Sequence, residues 1–159
     1  MPEPTTLALD YSLIQQELSS EIIPFVAKNY RTIESRESRG IAGLSAGGGI
    51  VMNVGLKSLD SFAWLGEFSA GVFGGSRSDS HFEVEKVAPD FYKDPEATNR
   101  LKLLYMSCGD HDPRMPFQKK AFADFQTHRI KVIFASFPGE HEWKVWRHSL
   151  ADFAPRLFR

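Results

Sequence analysis

The residues that could do chemistry begin with a serine flanked by glycines. Positions 43–47 read Gly-Leu-Ser-Ala-Gly, with Ser45 at the centre. The motif ends a short apolar run and precedes a segment at 46–59 that has helical character. A serine on a sharp turn from strand to helix is the arrangement of a nucleophile elbow, which exposes the hydroxyl for attack on a carbonyl carbon. The motif therefore predicts acyl-transfer chemistry.

Two later segments offer the partners that such a serine needs. A serine hydroxyl is a poor nucleophile at neutral pH until a histidine takes its proton and an acid orients that histidine. Positions 108–112 read Cys-Gly-Asp-His-Asp, and positions 138–142 read Pro-Gly-Glu-His-Glu. The second segment supplies His141 as the base, and Asp110 and Asp112 are both candidates for the acid. The chain order serine, acid, histidine is that of the α/β-hydrolase triad.

The neighbours of Ser45 fit the same interpretation. Gly43 and Gly47 are expected to let the chain turn tightly around the serine, and Gly48 and Gly49 to allow close packing of the next helix. The backbone N–H of Ala46, at the start of that helix, is expected to donate to the oxyanion of the reaction intermediate.

Each candidate also has a purely structural interpretation. Ser45 could be the N-cap of the helix that follows it. Either aspartate could form a turn, and His141 could cap the last helix. The three residue types occur in order, each after a different predicted strand, and this favours catalysis.

The elements that must position these side chains are strands alternating with helices. Strands are predicted at 41–44, 62–68, 101–107 and 130–137, and helices at 10–30, 46–59, 94–99, 116–128 and 143–157. Pro24 should kink or restart the first helix. This alternation predicts an α/β fold with a parallel sheet, whose carboxyl strand ends gather the catalytic groups. The irregular segment 70–97 follows the second strand at that edge, where we expect substrate to approach.

Composition excludes several other classes of function. The 159 residues suit one domain, 1–159, with ordinary hydrophobic (42%) and charged (25%) content. A net charge of −1 gives no electrostatic case for binding nucleic acid or an anionic membrane. No apolar run approaches the length of a membrane span. The single cysteine, Cys108, excludes an internal disulfide and leaves the cellular compartment open.

Three motifs resemble the "putative esterase" family of α/β-hydrolases. They are GLSAGGG, LKLLYMSCGDHD and FPGEHEWKVWRHSLADFAPRLF. This family holds the feruloyl and acetyl-xylan esterases of carbohydrate esterase family 1 and the enterochelin-esterase-like proteins. The resemblance extends over positions 15–159.

The resemblance implies a role for each residue that matches the family's motifs. The family pattern Cys-Gly-x-x-Asp selects Asp112 as the acid. The pattern Gly-x-His-x-Trp-x-x-Trp selects His141, with Trp143 and Trp146 as substrate-binding tryptophans, and Ser45 falls on the nucleophile. The implied activity is hydrolysis of a small-molecule or carbohydrate-linked carboxylic ester through an acyl-enzyme, with no cofactor and no metal.

The chain departs from the family in length. Family members have several strands before the elbow, and one of their loops supplies a second oxyanion donor. The sequence therefore predicts a partial α/β-hydrolase fold of about four parallel strands, without the N-terminal strands of the full fold. The strand at 41–44 would then be an exposed apolar edge, which we expect a second copy in a homodimer or a missing N-terminal segment to cover. The alternative function is a truncated, weakly active or inactive hydrolase-like domain that acts in binding or assembly.

Overall fold

A parallel sheet forms the centre of the computed structural model, which describes residues 11–70, 84–93 and 100–159. Its four strands, in spatial order, are β1 (Gly40–Leu44), β2 (Trp64–Phe68), β3 (Leu103–Gly109) and β4 (Ile133–Phe137). The spatial order equals the chain order, and every neighbouring pair is parallel. All four strands therefore end at the same edge of the sheet, and the segments that follow them meet there.

Helices connect and cover the strands. They are α1 (Tyr11–Glu17), α2 (Ile23–Asn29), α3 (Ala46–Ile50), α4 (Val84–Val87), α5 (Pro89–Lys93), α6 (Met115–Thr127) and α7 (Trp143–Phe153). Two π-helical turns extend this set, Leu18–Ile22 between α1 and α2 and Val51–Gly55 directly after α3. Short 3₁₀ turns occupy Arg36–Ser38 and Ala154–Arg156.

The two faces of the sheet bury separate hydrophobic clusters. Successive side chains on a strand point to opposite faces, so neighbouring residues of β2 and β3 join different clusters. Leu65 and Leu104 pack with Phe125 of α6, while Trp64 and Tyr105 pack with Phe153 of α7. Every residue of β2 and β3 is buried, as expected for central parallel strands covered on both faces.

The predicted fold class and all four strands are confirmed, with shifted bounds. Residues 62–63, 101–102 and 130–132 lie outside the strands that they were expected to begin, and β3 extends two residues beyond its predicted end. Pro24 lies in the first turn of α2, and the π-helical turn just before it accommodates the missing N–H, which is the expected irregularity of the first helix. The predicted helix at 94–99 lies outside the described residues. So does most of the segment 70–97, whose described part at 84–93 forms α4 and α5 and is therefore not irregular.

The outer edge of β1 borders an open apolar groove. Within the described ranges β1 pairs with β2 alone, so its other edge is unpaired. Beside that edge lies a cavity of about 610 Å³ with a largely apolar lining that includes Leu18, Ile22, Val26, Ile33, Ile41 and Phe158. Several of these side chains are strongly exposed, with Ile33 at 72% and Phe158 at 56%. In the described part of the chain, no helix has the length and apolar character needed to cross a membrane.

Candidate active site

Ser45 occupies a strained turn between β1 and α3. Its φ of 53° and ψ of −116° lie in a region that residues other than glycine rarely adopt. The Ser45 N–H donates to the Phe68 carbonyl at 2.8 Å, which fixes the turn against β2. Ser45 takes the N-cap position of α3, and its carbonyl accepts the Gly49 N–H at 3.2 Å, but its side chain makes no capping hydrogen bond. The hydroxyl therefore remains available to a partner outside α3.

Glycine is required at two positions around this turn. A Cβ on Gly43 would lie 2.4 Å from the carbonyl carbon and oxygen of Gly47, and a Cβ on Gly48 would lie 2.9 Å from the Ala70 Cβ. A Cβ on Gly47 would meet nothing within 4 Å. The expectation that close packing requires glycine is therefore right for Gly43 and Gly48. It is wrong for Gly47, because the side-chain position of Gly47 faces open space.

A chain of hydrogen bonds joins Ser45, His141 and Asp112. Ser45 Oγ lies 2.9 Å from His141 Nε2, and His141 Nδ1 lies 2.8 Å from Asp112 Oδ2. An ionised carboxylate only accepts hydrogen bonds, so Nδ1 carries the proton and Nε2 is free to accept the serine proton. The three side chains come from the segments after β1, β3 and β4, which meet at one sheet edge.

Asp112 is buried and held in its charged form. Its second oxygen, Oδ1, accepts the Arg114 N–H at 2.9 Å, and the Arg114 guanidinium lies 3.6 Å from the same oxygen. Burial raises the pKa of the Asp112 carboxyl, but the hydrogen bonds from Arg114 and His141 outweigh it and leave the pKa below its usual value. The carboxylate beside His141 is therefore negative at neutral pH.

Asp110, the other candidate acid, ties two loops together. Its Oδ1 accepts the Gly139 N–H at 2.9 Å and lies 2.7 Å from His111 Nδ1. Its own N–H donates to the Phe137 carbonyl at 2.9 Å, and the His111 N–H donates to the Gly139 carbonyl at 3.0 Å. The Gly139 hydrogen bond, followed by that of His111, lowers the pKa of Asp110. These bonds hold the loop that carries Asp112 against the loop that carries His141.

The two tryptophans stand beside His141 at different depths. The Trp146 ring packs edge-on against the His141 ring with centroids 4.8 Å apart, and Trp143 packs edge-on against Trp146 at 5.3 Å. Trp143 is 69% exposed, whereas Trp146 is half-buried. Trp146 therefore supports the imidazole, and Trp143 offers an open aromatic surface.

Sequence reasoning missed one buried acid close to this site. Glu67 in β2 is fully buried and lies under the first turn of α3, where its Cγ would be 3.2 Å from a Cβ on Gly48. The available signal was its position as the only charged residue of the apolar segment 62–68. Within the described ranges, no group of three or more His, Cys, Asp or Glu side chains is arranged to hold a metal ion.

Family and sequence comparisons point to esterases. The Esterase family model, described as "Putative esterase", matches residues 8–157. The endo-1,4-beta-xylanase/feruloyl esterase of Xylanibacter ruminicola is 27% identical over 145 residues, which are 91% of this chain and 18% of that protein. The chain thus spans less than a fifth of that relative's length.

Solved structures share the fold over most of the chain. A ferulic acid esterase superposes with a TM-score of 0.72 at 23% identity, covering 91% of this chain and 61% of that one. The CE1 ferulic acid esterase of Anaeromyces mucronatus gives 0.72 at 18% identity, over 99% of this chain and 61% of its own. The enterobactin esterase of Shigella flexneri superposes with a TM-score of 0.69 at 19% identity, covering 87% of this chain and 36% of that one. The four-stranded unit with Ser45 at its first turn is therefore the part that this chain shares with these α/β structures.

Proposed function

Because the chain belongs to the Esterase family, we propose that it is a serine carboxylic-ester hydrolase of the feruloyl and acetyl-xylan esterase type. Ser45 is the nucleophile, His141 the general base and Asp112 the acid that orients it. The observation that carries this proposal is the continuous hydrogen-bonded chain from Ser45 Oγ to Asp112 Oδ2, with links of 2.9 and 2.8 Å. Both links have the length at which a proton can be transferred or held.

Acylation follows from the direction of those hydrogen bonds. Ser45 Oγ attacks the ester carbonyl carbon while its proton passes to His141 Nε2. The imidazolium that forms is stabilised by the Asp112 carboxylate, whose low pKa keeps it negative. The tetrahedral intermediate collapses, the C–O bond to the alcohol breaks, and the alkoxide takes the proton from Nε2. Water then attacks the acyl-enzyme by the same route, and Ser45 is released with its proton restored.

The oxyanion of each intermediate is stabilised by the backbone N–H of Ala46. This donor stands at the first residue of α3, directly after the nucleophile. One donor is an incomplete oxyanion site, and loss of a single donor costs about 10²- to 10³-fold in rate. We therefore expect a second donor from a polypeptide segment that packs at the open edge of β1.

The acyl group is proposed to be aromatic. Trp143 presents an exposed ring next to the reaction centre, and an aromatic acyl group can stack against it. Three of the similar proteins described above are named for ferulic acid or feruloyl esters. The substrate class is thus a small-molecule or carbohydrate-linked ester.

Covalent labelling with a fluorophosphonate probe tests the nucleophile directly. We expect rapid labelling of the wild-type protein, no labelling after Ser45→Ala, and unchanged labelling after Ser20→Ala, an exposed serine whose hydroxyl donates to the Gln16 carbonyl. Hydrolysis of p-nitrophenyl acetate and methyl ferulate should likewise be lost after Ser45→Ala and unchanged after Ser20→Ala. Hydrolysis that survives Ser45→Ala at the wild-type rate would overturn the proposal.

A second candidate function is a hydrolase-like domain that acts in binding or assembly. The open edge of β1 and the apolar groove beside it favour this candidate, because exposed edges and apolar grooves recruit other chains. We propose as occupant a strand-bearing segment equivalent to the part of the neighbouring structures that this chain does not cover. A measured mass in solution distinguishes this occupant from a second copy. Efficient fluorophosphonate labelling of the isolated chain counts against a purely binding role.

A further inference from the structure

Glu67 is a buried acid that no step of the proposed reaction uses. It lies on β2 opposite Gly43 of β1, one strand away from the nucleophile elbow. Its Oε1 accepts hydrogen bonds from the Ala70 N–H and from Gln118 Nε2, the latter at 2.8 Å. The same Gln118 nitrogen also donates to the Ala70 carbonyl. The acid, the amide and the backbone of Ala70 thus form one closed cluster under the first turn of α3, next to Gly48.

We propose that Glu67 is a positioning residue for the esterase reaction, in which its buried carboxyl group joins β2, α3 and α6 under the first turn of α3 and keeps Ser45 aligned with His141. This inference rests on the proposed function.

The contacts of the cluster explain how it reaches the reaction centre. Gly48, in the first turn of α3, packs on the Glu67 side chain, and a Cβ there would lie 3.2 Å from Glu67 Cγ. Gln118 belongs to α6, which begins three residues after the catalytic acid Asp112. Ala70 ends the described segment after β2. A change in the Glu67 carboxyl group therefore affects both α3, which follows Ser45, and α6, which follows Asp112.

The surroundings of Glu67 favour the neutral form. The facing titratable groups are the Cys108 thiol on β3, whose pKa is raised to about 12 by burial, and the Asp112 carboxylate after β3. The first turn of α3 contributes only glycines and alanine, and α6 contributes the uncharged Gln118. Glu67 Oε2 is buried and makes no hydrogen bond within the described ranges, where a charged oxygen would need a donor.

The protonation state gives the role a measurable signature. Burial, and then the repulsion of Asp112, raise the pKa of Glu67 from 4.5 to about 8, against the lowering effect of its two hydrogen bonds. Above that pH, a buried negative charge stands under the first turn of α3, the helix whose first N–H is proposed to donate to the oxyanion, so we expect acylation to slow. The folded state binds this proton more tightly than the unfolded state, so the stability that it contributes is complete below pH 4.5. This contribution to stability is lost progressively as the pH rises from 4.5 to about 8, and above pH 8 the stability no longer changes with the ionisation of Glu67.

The test compares Glu67→Gln with Glu67→Leu and with Glu34→Gln, an exposed control. A glutamine keeps an acceptor for Ala70 and Gln118 and a donor at the second position, so it imitates the neutral acid at every pH. We measure the rate constant of fluorophosphonate labelling from pH 6 to 10, and thermal unfolding from pH 4 to 10 in a Ser45→Ala background.

We expect Glu67→Gln to label within about threefold of wild type at pH 7 and to lack the wild-type decline above pH 8. Glu67→Leu should label at least about tenfold more slowly at every pH, since the hydrogen bonds are gone. The unfolding temperature of the protein with Glu67 should fall, relative to the glutamine variant, between pH 4.5 and 8. Glu34→Gln should match wild type in both assays.

Two outcomes overturn the positioning role. One is an alkaline decline of Glu67→Gln identical to that of wild type, and the other is a rate at pH 7 as low as that of Glu67→Leu. If Glu67→Leu does not fold, the glutamine variant still decides. A wild-type protein that is not labelled at any pH overturns the proposed function itself. If instead wild type and Glu67→Gln are both labelled with the same pH profile, only the positioning role of Glu67 is overturned.

Discussion

Replacing Asp112 by asparagine should disable the reaction through the tautomer of His141. Both oxygens of Asp112 are engaged, Oδ2 with His141 Nδ1 at 2.8 Å and Oδ1 with the Arg114 N–H at 2.9 Å. The introduced amide must keep its oxygen towards the Arg114 N–H, because an NH₂ group there would place two donors face to face. Its NH₂ then faces His141 Nδ1 and can donate only if Nδ1 carries no proton. The proton moves to Nε2, which can no longer accept the proton of Ser45.

The size of the effect follows from this geometry. An imidazole held in the wrong tautomer costs up to about 10⁴-fold in kcat in a serine triad. We expect a loss of about 10³- to 10⁴-fold, or about 4–5 kcal/mol of transition-state stabilisation. KM should change little, because Asp112 is buried and does not line the surface that substrate contacts. Steady-state hydrolysis of methyl ferulate and the rate of fluorophosphonate labelling measure the loss, and ¹⁵N chemical shifts of His141 report the tautomer.

Asp110→Asn on the same loop is the matched control. Its carboxyl contacts the Gly139 N–H and His111, not His141, and an amide oxygen can still accept the Gly139 hydrogen bond. We expect a loss below about tenfold. The reasoning fails if Asp112→Asn stays within about threefold of wild type while folded, or if both variants lose activity equally.

Two further predictions concern stability. Gly48→Ala should destabilise the fold by about 1–3 kcal/mol, because its Cβ would press on the Ala70 Cβ at 2.9 Å. Gly47→Ala should be neutral or slightly stabilising, because a Cβ there meets nothing within 4 Å. Equal urea-denaturation midpoints for the two variants would contradict this. Tyr105→Phe removes a hydrogen bond of 3.0 Å to Asp152 and should lower the free energy of unfolding by about 1 kcal/mol. Urea denaturation measures this change, and an unchanged midpoint would rule out a stabilising role for that hydrogen bond.

The positions of the strands and of the chemistry-bearing residues could be predicted because they rest on local patterns. The short apolar runs predict the strands, and parallel strands bring the segments after them to one edge whatever their detailed geometry. That is sufficient to bring Ser45 and His141 near each other. The choice between Asp110 and Asp112 could not be made from spacing alone, because it depends on which carboxyl points inward.

The features that escaped prediction depend on contacts between distant segments. Glu67 looks like an ordinary charge in a strand until Gln118, 51 positions away, is placed beside it. The π-helical turns at 18–22 and 51–55 arise where helices adjust to their neighbours, which no local propensity records. Gly47 resembles Gly43 in the motif, and only the packing shows that one of them faces open space.

Under the proposed mechanism, the chain order of Ser45 and His141 also sets when the serine becomes reactive during synthesis. Ser45 and His141 are 96 positions apart in the chain. At a synthesis rate of about 5–20 residues per second, about 5–20 s separate their incorporation. Throughout that interval the serine lacks His141, its proposed general base, so a nascent chain with a formed elbow cannot yet follow the proposed reaction. Reactivity arrives only with β4 and the loop after it, when most of the chain is already available to fold.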